Sequence, residues 1–353
     1  MVYSAHTRIF TVDPQQPQAD AIAQAAEMLR QGGLVAFPTE TVYGLGANAL
    51  DSAAIDRIYR AKARPASDPI IAHIHTLEPL DMLAIDIPAA ARQLAVRFWP
   101  GALTLVLKRH PNVPPNIAAG LATVAVRMPA HSVARALLAA TELPVAAPSA
   151  NTFTRPSATT AAHVLEDLRG RVDIVLDGGP TTIGLESTVL DLTADTPVVL
   201  RPGGVVMEDL QTVLPQVQLA PRYLNIDERA VSPGQMLKHY APRAVLTLYT
   251  GPRRTVIDTM QQAAREHAAA GQRVGVLVTD EDRAAFHGLA LVEALGPRDD
   301  LPAISHRLFA GLRSLDALNV DVILASDFGQ AGLGAALWDR LLRAAEGRVV
   351  TVT

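Results

Sequence analysis

Residues 34–75 read LVAFPTETVYGLGANALDSAAIDRIYRAKARPASDPIIAHIH, and this run decides the first part of the fold. LVAF is a short apolar strand after the Gly32–Gly33 stop of a preceding helix. Pro38 has no N–H to donate and ends the ladder. The hydroxyl- and glycine-rich stretch that follows reads as a loop. Gly44 and Gly46 are expected there to free the backbone for conformations closed to other residues and for close approach to a ligand. Asp51 or Ser52 caps the next helix, whose Ile55, Ile58 and Tyr59 share a face. That helix cannot pass Pro65, and Arg64 before the proline is expected to be extended, so that Lys62 and Arg64 project to one side. Two cations on one side suit a polyphosphate. Taken alone, the pair also reads as a solvated helix end, where cations meet the C-terminal dipole.

Composition adds weight to Lys62. Of 31 Lys and Arg only three are lysine (Lys62, Lys108, Lys238), which leaves 28 arginines. A lysine kept in such a chain points to a need for a compact ammonium, which Arg does not supply.

At 353 residues the chain has room for two domains, and 49% hydrophobic with 19% charged residues is a globular composition. A net charge of −4 argues against a broadly basic nucleic-acid surface. With no cysteine, disulfides, thiolate metal sites and cysteine nucleophiles are excluded. The N-terminus MVYSAHTRIF lacks a signal-peptide pattern, and every apolar run is interrupted by Pro, Arg or Asp. The expected location is cytoplasmic, with no membrane partner.

Along residues 1–208, strand-like runs (LVAF at 34, PIIAHI at 69, LTLVL at 103, TVAVRM at 123, VAAPS at 145, DIVLD at 173, STVLDL at 187, PVVLR at 197) alternate with helix candidates at 19–31, 51–62, 89–98, 132–140 and 159–168. The pattern predicts an α/β domain with a mixed twisted sheet and flanking helices. Residues 209–242 carry scattered prolines and little periodicity and read as a linker. Residues 243–353 predict a smaller Rossmann-like α/β layer without a G-x-G-x-x-G in the right context; Gly329, Gly332 and Gly334 read as a packing turn.

Polar clusters recur at strand ends: Pro148-Ser149-Ala150-Asn151, Glu186-Ser187-Thr188 and Arg201-Pro202-Gly203-Gly204, with Arg127 and Thr123 on one face of TVAVRM. Ligands of open α/β sheets sit outside strand ends, although each cluster alone is an ordinary turn or cap. His73 and His75 form His-x-His on an extended segment and could face one side as metal ligands. No third ligand stands at a recognisable spacing, so the expectation is one histidine in a polar pocket and the other at the surface. Neither a G-x-x-x-x-G-K-[ST] loop nor a G-x-S-x-G elbow is present.

FPTETVYGLGANA, KARP followed by PIIAHI, PSAN, ESTVLDL, VLRPGG and a later HYAP occur in order, and together they resemble the YrdC/Sua5 family in its long Sua5 form. The resemblance spans essentially the whole chain. It implies a YrdC-like catalytic domain over 1–208, a linker over 209–242 and a Sua5-type C-terminal domain over 243–353; the linker is expected to fold over the site as a lid that excludes water. It implies a nucleotidyltransferase that makes L-threonylcarbamoyl-AMP and pyrophosphate from L-threonine, bicarbonate and ATP with Mg2+. The product would pass to the tRNA threonylcarbamoyl-transfer machinery for adenosine 37 of tRNAs reading ANN codons, with weak or no direct tRNA binding.

By the same resemblance, Lys62 and Arg64 are the catalytic, phosphate-binding cations. Asp68, Thr123, Ser149, Asn151, Ser157, Arg201, His239 and Tyr240 contact ATP, and Thr41, His73, Arg127, Ala147 and Ser187 contact threonine. Ser149 and Asn151 would lie near a Mg2+ held mainly by the phosphates, and Arg127 would clamp the threonine carboxylate. Three positions depart from the family pattern: Asp68 stands where Asn is common, TFTRPSATT replaces small-Gly-x-Pro-Ser-x-Thr, and PGQMLKHYAP keeps Pro233, Gly234, His239 and Tyr240 of a longer motif. A carbamoyl-adenylate-forming relative is disfavoured by the absent cysteines, and a non-catalytic double-stranded RNA-binding module by the acidic charge.

Overall fold

The computed structural model describes residues 6–220 and 239–353. The chain divides into two compact units, one of Met1–Phe153 with Ser157–Gln235 and one of Thr154–Pro156 with Met236–Thr353. The first unit runs β1 (Arg8–Thr11), α1 (Ala19–Arg30), β2 (Val35–Phe37), β3 (Gly44–Asn48), α2 (Ser52–Lys62), β4 (Ile71–His73), α3 (Leu80–Leu83), β5 (Ala84–Ile85), α4 (Ala89–Phe98), β6 (Leu103–Arg109), β7 (Thr123–Arg127), α5 (Ser132–Thr141), β8 (Val145–Ala146), α6 (Ala161–Leu168), β9 (Ile174–Asp177), β10 (Thr188–Asp191), β11 (Val198–Arg201), α7 (Met207–Gln211) and β12 (Gln218–Leu219).

These strands form one mixed sheet in the order β1-β9-β2-β3-β8-β4-β7-β6-β10-β11-β12, with β5 paired to β6. Strand alternation splits its side chains into two layers. Leu45, Ala72, Leu105 and Val126 pack with Ile55 and Ile58 of α2 and Leu94 of α4. On the other face Val35, Phe37, Val145 and Ile174 meet Ile22 and Leu29 of α1 and Leu137 of α5. The mixed α/β architecture expected from the sequence is therefore present.

Two local expectations are overturned. The stretch after Pro38 is not loop throughout: Gly44–Asn48 is a strand, antiparallel to β2 through Val35↔Gly46 and Phe37↔Gly44. Neither Gly44 nor Gly46 has a positive φ. Gly46 is a glycine for space, since a Cβ on it would lie 2.9 Å from Phe37 Cε1 and 3.0 Å from Val145 Cγ1. Nor are Lys62 and Arg64 in an extended run. Lys62 is the last residue of α2, whose N-cap Asp51 accepts from Ala53 and Ala54, and Ala63 turns the corner at φ 51.

Part of the segment read as a linker belongs to the first unit, because α7 and β12 continue it and Leu210, Leu214 and Val217 are buried in its core. Residues 221–238, which include Pro233, Gly234 and most of the expected lid, lie outside the described residues.

The second unit carries β13 (Val245–Thr250), α8 (Arg253–Ala269), β14 (Val274–Val278), β15 (Leu291–Ala294), α9 (Leu301–Ala317), β16 (Val322–Ser326), α10 (Leu333–Ala344) and β17 (Val349–Thr351). Its strands pair in parallel in the order β15-β14-β16-β13-β17, the Rossmann-like layer expected. β14 and β16 are buried along their length, as strands covered on both faces must be. Among the described residues no helix is long and apolar enough to cross a membrane.

Candidate active site

One row of Cα partners crosses the first unit's sheet: Val145↔His73, His73↔Arg127, Arg127↔Thr104, Thr104↔Val189, Val189↔Arg201. Residues opposite one another in a sheet point to the same face, so His73, Arg127, Thr104 and Arg201 share one side. Period-two spacing adds Thr123, four residues before Arg127, and Ala147, two after Val145. Arg201 gets there through a bulge. The register slips between Val189 and Leu190, so that Leu190 faces Val199 while Val189 faces Arg201. The extra residue re-aims the arginine side chain.

Arg127 is the centre of this face. Its Nη2 donates to Glu40 Oε1 at 2.6 Å, Nη1 to Thr41 Oγ1 at 2.8 Å and Nε to the Gly101 carbonyl at 3.1 Å. Glu40 Oε2 accepts from the Ala130 N–H at 3.0 Å, and Thr41 Oγ1 lies 2.8 Å from Thr39 Oγ1. The Pro-Thr-Glu-Thr stretch thus wraps the guanidinium. Further along, Ser187 Oγ lies 2.7 Å from Thr104 Oγ1, while Arg201 Nη2 donates to the Ser187 carbonyl at 2.8 Å. Gly203 is required there: a Cβ would fall 2.4 Å from the backbone of Glu186 and Ser187. Ser157 Oγ donates to Glu186 Oε1.

His73 is buried, its ring edge-on to Phe37 at 6.4 Å, and among the described residues its Nδ1 has no hydrogen-bond partner. Burial first, then the Arg127 charge, brings its pKa down to about 3, so the imidazole is neutral at pH 7. His75 is half-buried. Among the described residues there is no group of three His, Asp or Glu that could hold a metal ion.

The cationic corner lies at the end of α2. The Lys62 side chain is 1% exposed, and its Nζ donates to the carbonyls of Ser149 and Asn151. The Phe153 N–H returns to the Lys62 carbonyl at 2.8 Å, stitching helix end to loop. That loop is itself held on β3, by a Gly44↔Ser149 bridge and by Ala150 N–H to the Tyr43 carbonyl at 2.7 Å. Burial above all, with the Arg64 charge next, pushes the Lys62 pKa well below its ordinary value; Asp167, Asp68 and Glu186 oppose this. Arg64 pairs with Asp68 at 2.9 Å, donates to the Pro69 carbonyl at 2.7 Å and stands over the Phe153 ring at 6.0 Å. The acidic residue at 68 is therefore the partner of Arg64.

The structure thus gathers Thr41, Lys62, Arg64, Asp68, His73, Thr123, Arg127, Ala147, Ser149, Asn151, Ser157, Ser187 and Arg201 in the first unit. His239 and Tyr240 belong to the second, where their rings are 4.0 Å apart and Tyr240 packs between Phe309 (5.2 Å) and the Arg340 guanidinium (5.2 Å). Sequence reasoning gave no role to Thr104 and placed Glu40 and Glu186 within polar motifs without a partner or task. Glu40 did leave a signal, as the one acidic residue between positions 34 and 50.

Residues 27–203 match the Sua5/YciO/YrdC family profile described as telomere recombination, and residues 205–346 match the threonylcarbamoyl-AMP synthase C-terminal domain. The chain belongs to the Sua5 family. A threonylcarbamoyl-AMP synthase of Bacillus subtilis is 45% identical over 96% of this chain and 95% of its own length, and one of Pyrococcus abyssi is 46% identical over 93% and 95%. The crystal structure of Pyrococcus abyssi Sua5 complexed with L-threonine covers 98% of this chain and 100% of its own at 44% identity, with a TM-score of 0.93. Both domains of the family are thus present over nearly their full length.

Proposed function

We propose that this chain is an L-threonylcarbamoyl-AMP synthase, a nucleotidyltransferase that joins L-threonine, bicarbonate and ATP and releases pyrophosphate. The observation that carries this reading is Lys62. Its buried ammonium donates to two carbonyls, makes no ion pair among the described residues, and is destabilised first by burial and then by Arg64. A triphosphate supplies the anion that such a cation lacks. In the reaction, bicarbonate loses hydroxide to give CO2, the threonine amine adds to its carbon, and the proton that the nitrogen loses leaves with that hydroxide as water. The resulting carbamate oxygen then attacks the α-phosphorus, and the bond to the β-phosphate oxygen breaks with its electron pair on pyrophosphate. No protein nucleophile is required, so positioning and charge neutralisation do the catalytic work.

Threonine is read by the Arg127 face. Three of the five guanidinium N–H groups are committed to Glu40, Thr41 and Gly101, which leaves two for a carboxylate. Neutral His73 offers its ring nitrogen to the amino acid's polar hydrogens, and Thr41, Ala147 and Ser187 line the same region. ATP is read by Lys62 and Arg64 at the phosphates, with Asp68 fixing Arg64, and by Thr123, Ser149, Asn151, Ser157 and Arg201. Mg2+ arrives with the phosphates. The Ser149 hydroxyl and the Asn151 carboxamide oxygen are hard donors suited to it, Asn151 Nδ2 being turned to the Thr152 carbonyl at 2.8 Å. When bound, the ion would neutralise charge on the phosphates.

The product serves tRNA modification at adenosine 37 through other proteins, in the cytoplasm where ATP is made available. A pyrophosphate-release assay tests the reading. Release requires ATP, threonine and bicarbonate together, and release that persists without threonine overturns it. An RNA-binding module would instead bind RNA with strong salt dependence and release no pyrophosphate.

A further inference from the structure

The second unit's parallel sheet contains a crevice that the reaction above does not use. From β13 the chain crosses through α8 to β14, while from β16 it crosses through α10 to β17 on the opposite side. β13 and β16 are neighbours, paired from Val245↔Val322 to Tyr249↔Ser326. Their carboxyl ends are therefore a topological switch point, where open α/β sheets bind ligands. A cavity of about 430 Å³ opens there, lined by Gly251, Arg253, Asp282, Arg298, Ser326 and Phe328 among others.

Its polar groups converge. Asp282 is buried and orients both cations: Arg253 donates to Oδ1 through Nη2 at 2.8 Å and Nε at 3.0 Å, and Arg298 donates to Oδ2. One carboxylate thus orients two guanidiniums whose remaining N–H groups can meet a ligand, while Asp299 and Asp327 also line the cavity. α8, with 17 residues, begins in the cavity wall with no acidic residue in its first turn and no side-chain cap, so its first N–H groups lack an intrahelical or side-chain acceptor. Ser326 ends β16 at 4% exposure, and its Oγ has no partner among the described residues. A buried hydroxyl without a partner is costly unless a ligand completes it. Asp327 at the rim spends Oδ1 on the Gly329 N–H at 2.9 Å and keeps Oδ2 as an acceptor.

We propose that this crevice binds a nucleoside monophosphate. The phosphate sits on Arg253, Arg298 and the first turn of α8, the sugar hydroxyls meet Ser326 and Asp327, and the base lies against the apolar wall at Phe328. The size agrees, because the cavity falls within the usual range of small-molecule sites and far exceeds a bare phosphate.

Equilibrium dialysis of the full chain with AMP, adenosine and inorganic phosphate tests this. Saturable AMP binding persists in Lys62→Ala, weakens at least roughly tenfold in Arg253→Ala through loss of charge-assisted bonds, and weakens in Ser326→Ala, which removes a single oxygen. Adenosine and phosphate each bind more weakly than AMP. The proposal is overturned if AMP binding vanishes in Lys62→Ala while Arg253→Ala binds as the parent does, if no saturable binding occurs, or if phosphate binds as tightly as AMP. The pyrophosphate assay tests the first unit separately, so either reading can fail alone.

Discussion

In the second unit Arg340 and Arg343 are fully buried and share one carboxylate, with Arg340 Nη1 at 2.5 Å and Arg343 Nε at 3.0 Å from Asp339. In the first unit Lys62 is buried as deeply, yet its hydrogens point at the Ser149 and Asn151 carbonyls. Each of these guanidiniums has a carboxylate in direct contact, which lowers the cost of burying its charge in the core. An ammonium that donates to carbonyls, with no carboxylate in contact among the described residues, remains destabilised by burial until an anion arrives, as its lowered pKa records. The difference separates buried charge that supports a fold from buried charge kept for a ligand.

The largest expected break in this contrast is Asp339→Ala, which removes the carboxylate that two buried guanidiniums contact and costs about 3–5 kcal/mol. Denaturant titration measures it, and a loss under about 1 kcal/mol would show that the two clusters do not differ. Next comes the pH response of His73. Unfolded, it takes up a proton below about 6.5; folded, only below about 3. The unfolded state binds the extra proton between these values, so stability falls by up to a few kcal/mol as pH drops from 6.5 toward 3. Midpoints for the parent and His73→Gln should converge across that window, and parallel profiles would remove His73 as the cause.

Lys62→Ala should lower the pyrophosphate rate on the order of 10²-fold or more, as for loss of one transition-state donor. Lys62→Met should leave thermal stability unchanged or raise it, because an apolar side chain carries no desolvation penalty. A slow enzyme that also melts much earlier would place Lys62 with the structural cations. The smallest effect is expected at the corner itself. Ala63→Gly relieves a left-handed φ of 51 at the cost of chain entropy, and the two should nearly cancel, within about 1 kcal/mol by thermal melting.

Local signals carried much of this protein. Apolar runs bounded by Gly and Pro located strands such as Leu103–Arg109 and Thr123–Arg127, because side chains in a sheet repeat every two residues. Helix ends were legible where Gly32 or Pro65 forced them. β3 was not, since two of its five residues are glycines, and the place of Gly46 is justified only by Phe37 and Val145 packed against it. Short edge strands such as Arg8–Thr11 gave little pattern because one register partner, Ile174 to Asp177, defines them.

The sequence alone determined which chemistry was available: three lysines among 31 cations, no thiols, hydroxyl and amide groups at strand ends, and ordered motifs of one family. Only the tertiary structure decided how these groups are held. A bulge turns Arg201 onto the His73–Arg127 row, and Glu40, 87 residues from Arg127 in sequence, closes on its guanidinium. The physical reason is that residue types and periods are local properties of a chain, whereas burial, register and the partner of a charge arise only when distant strands meet.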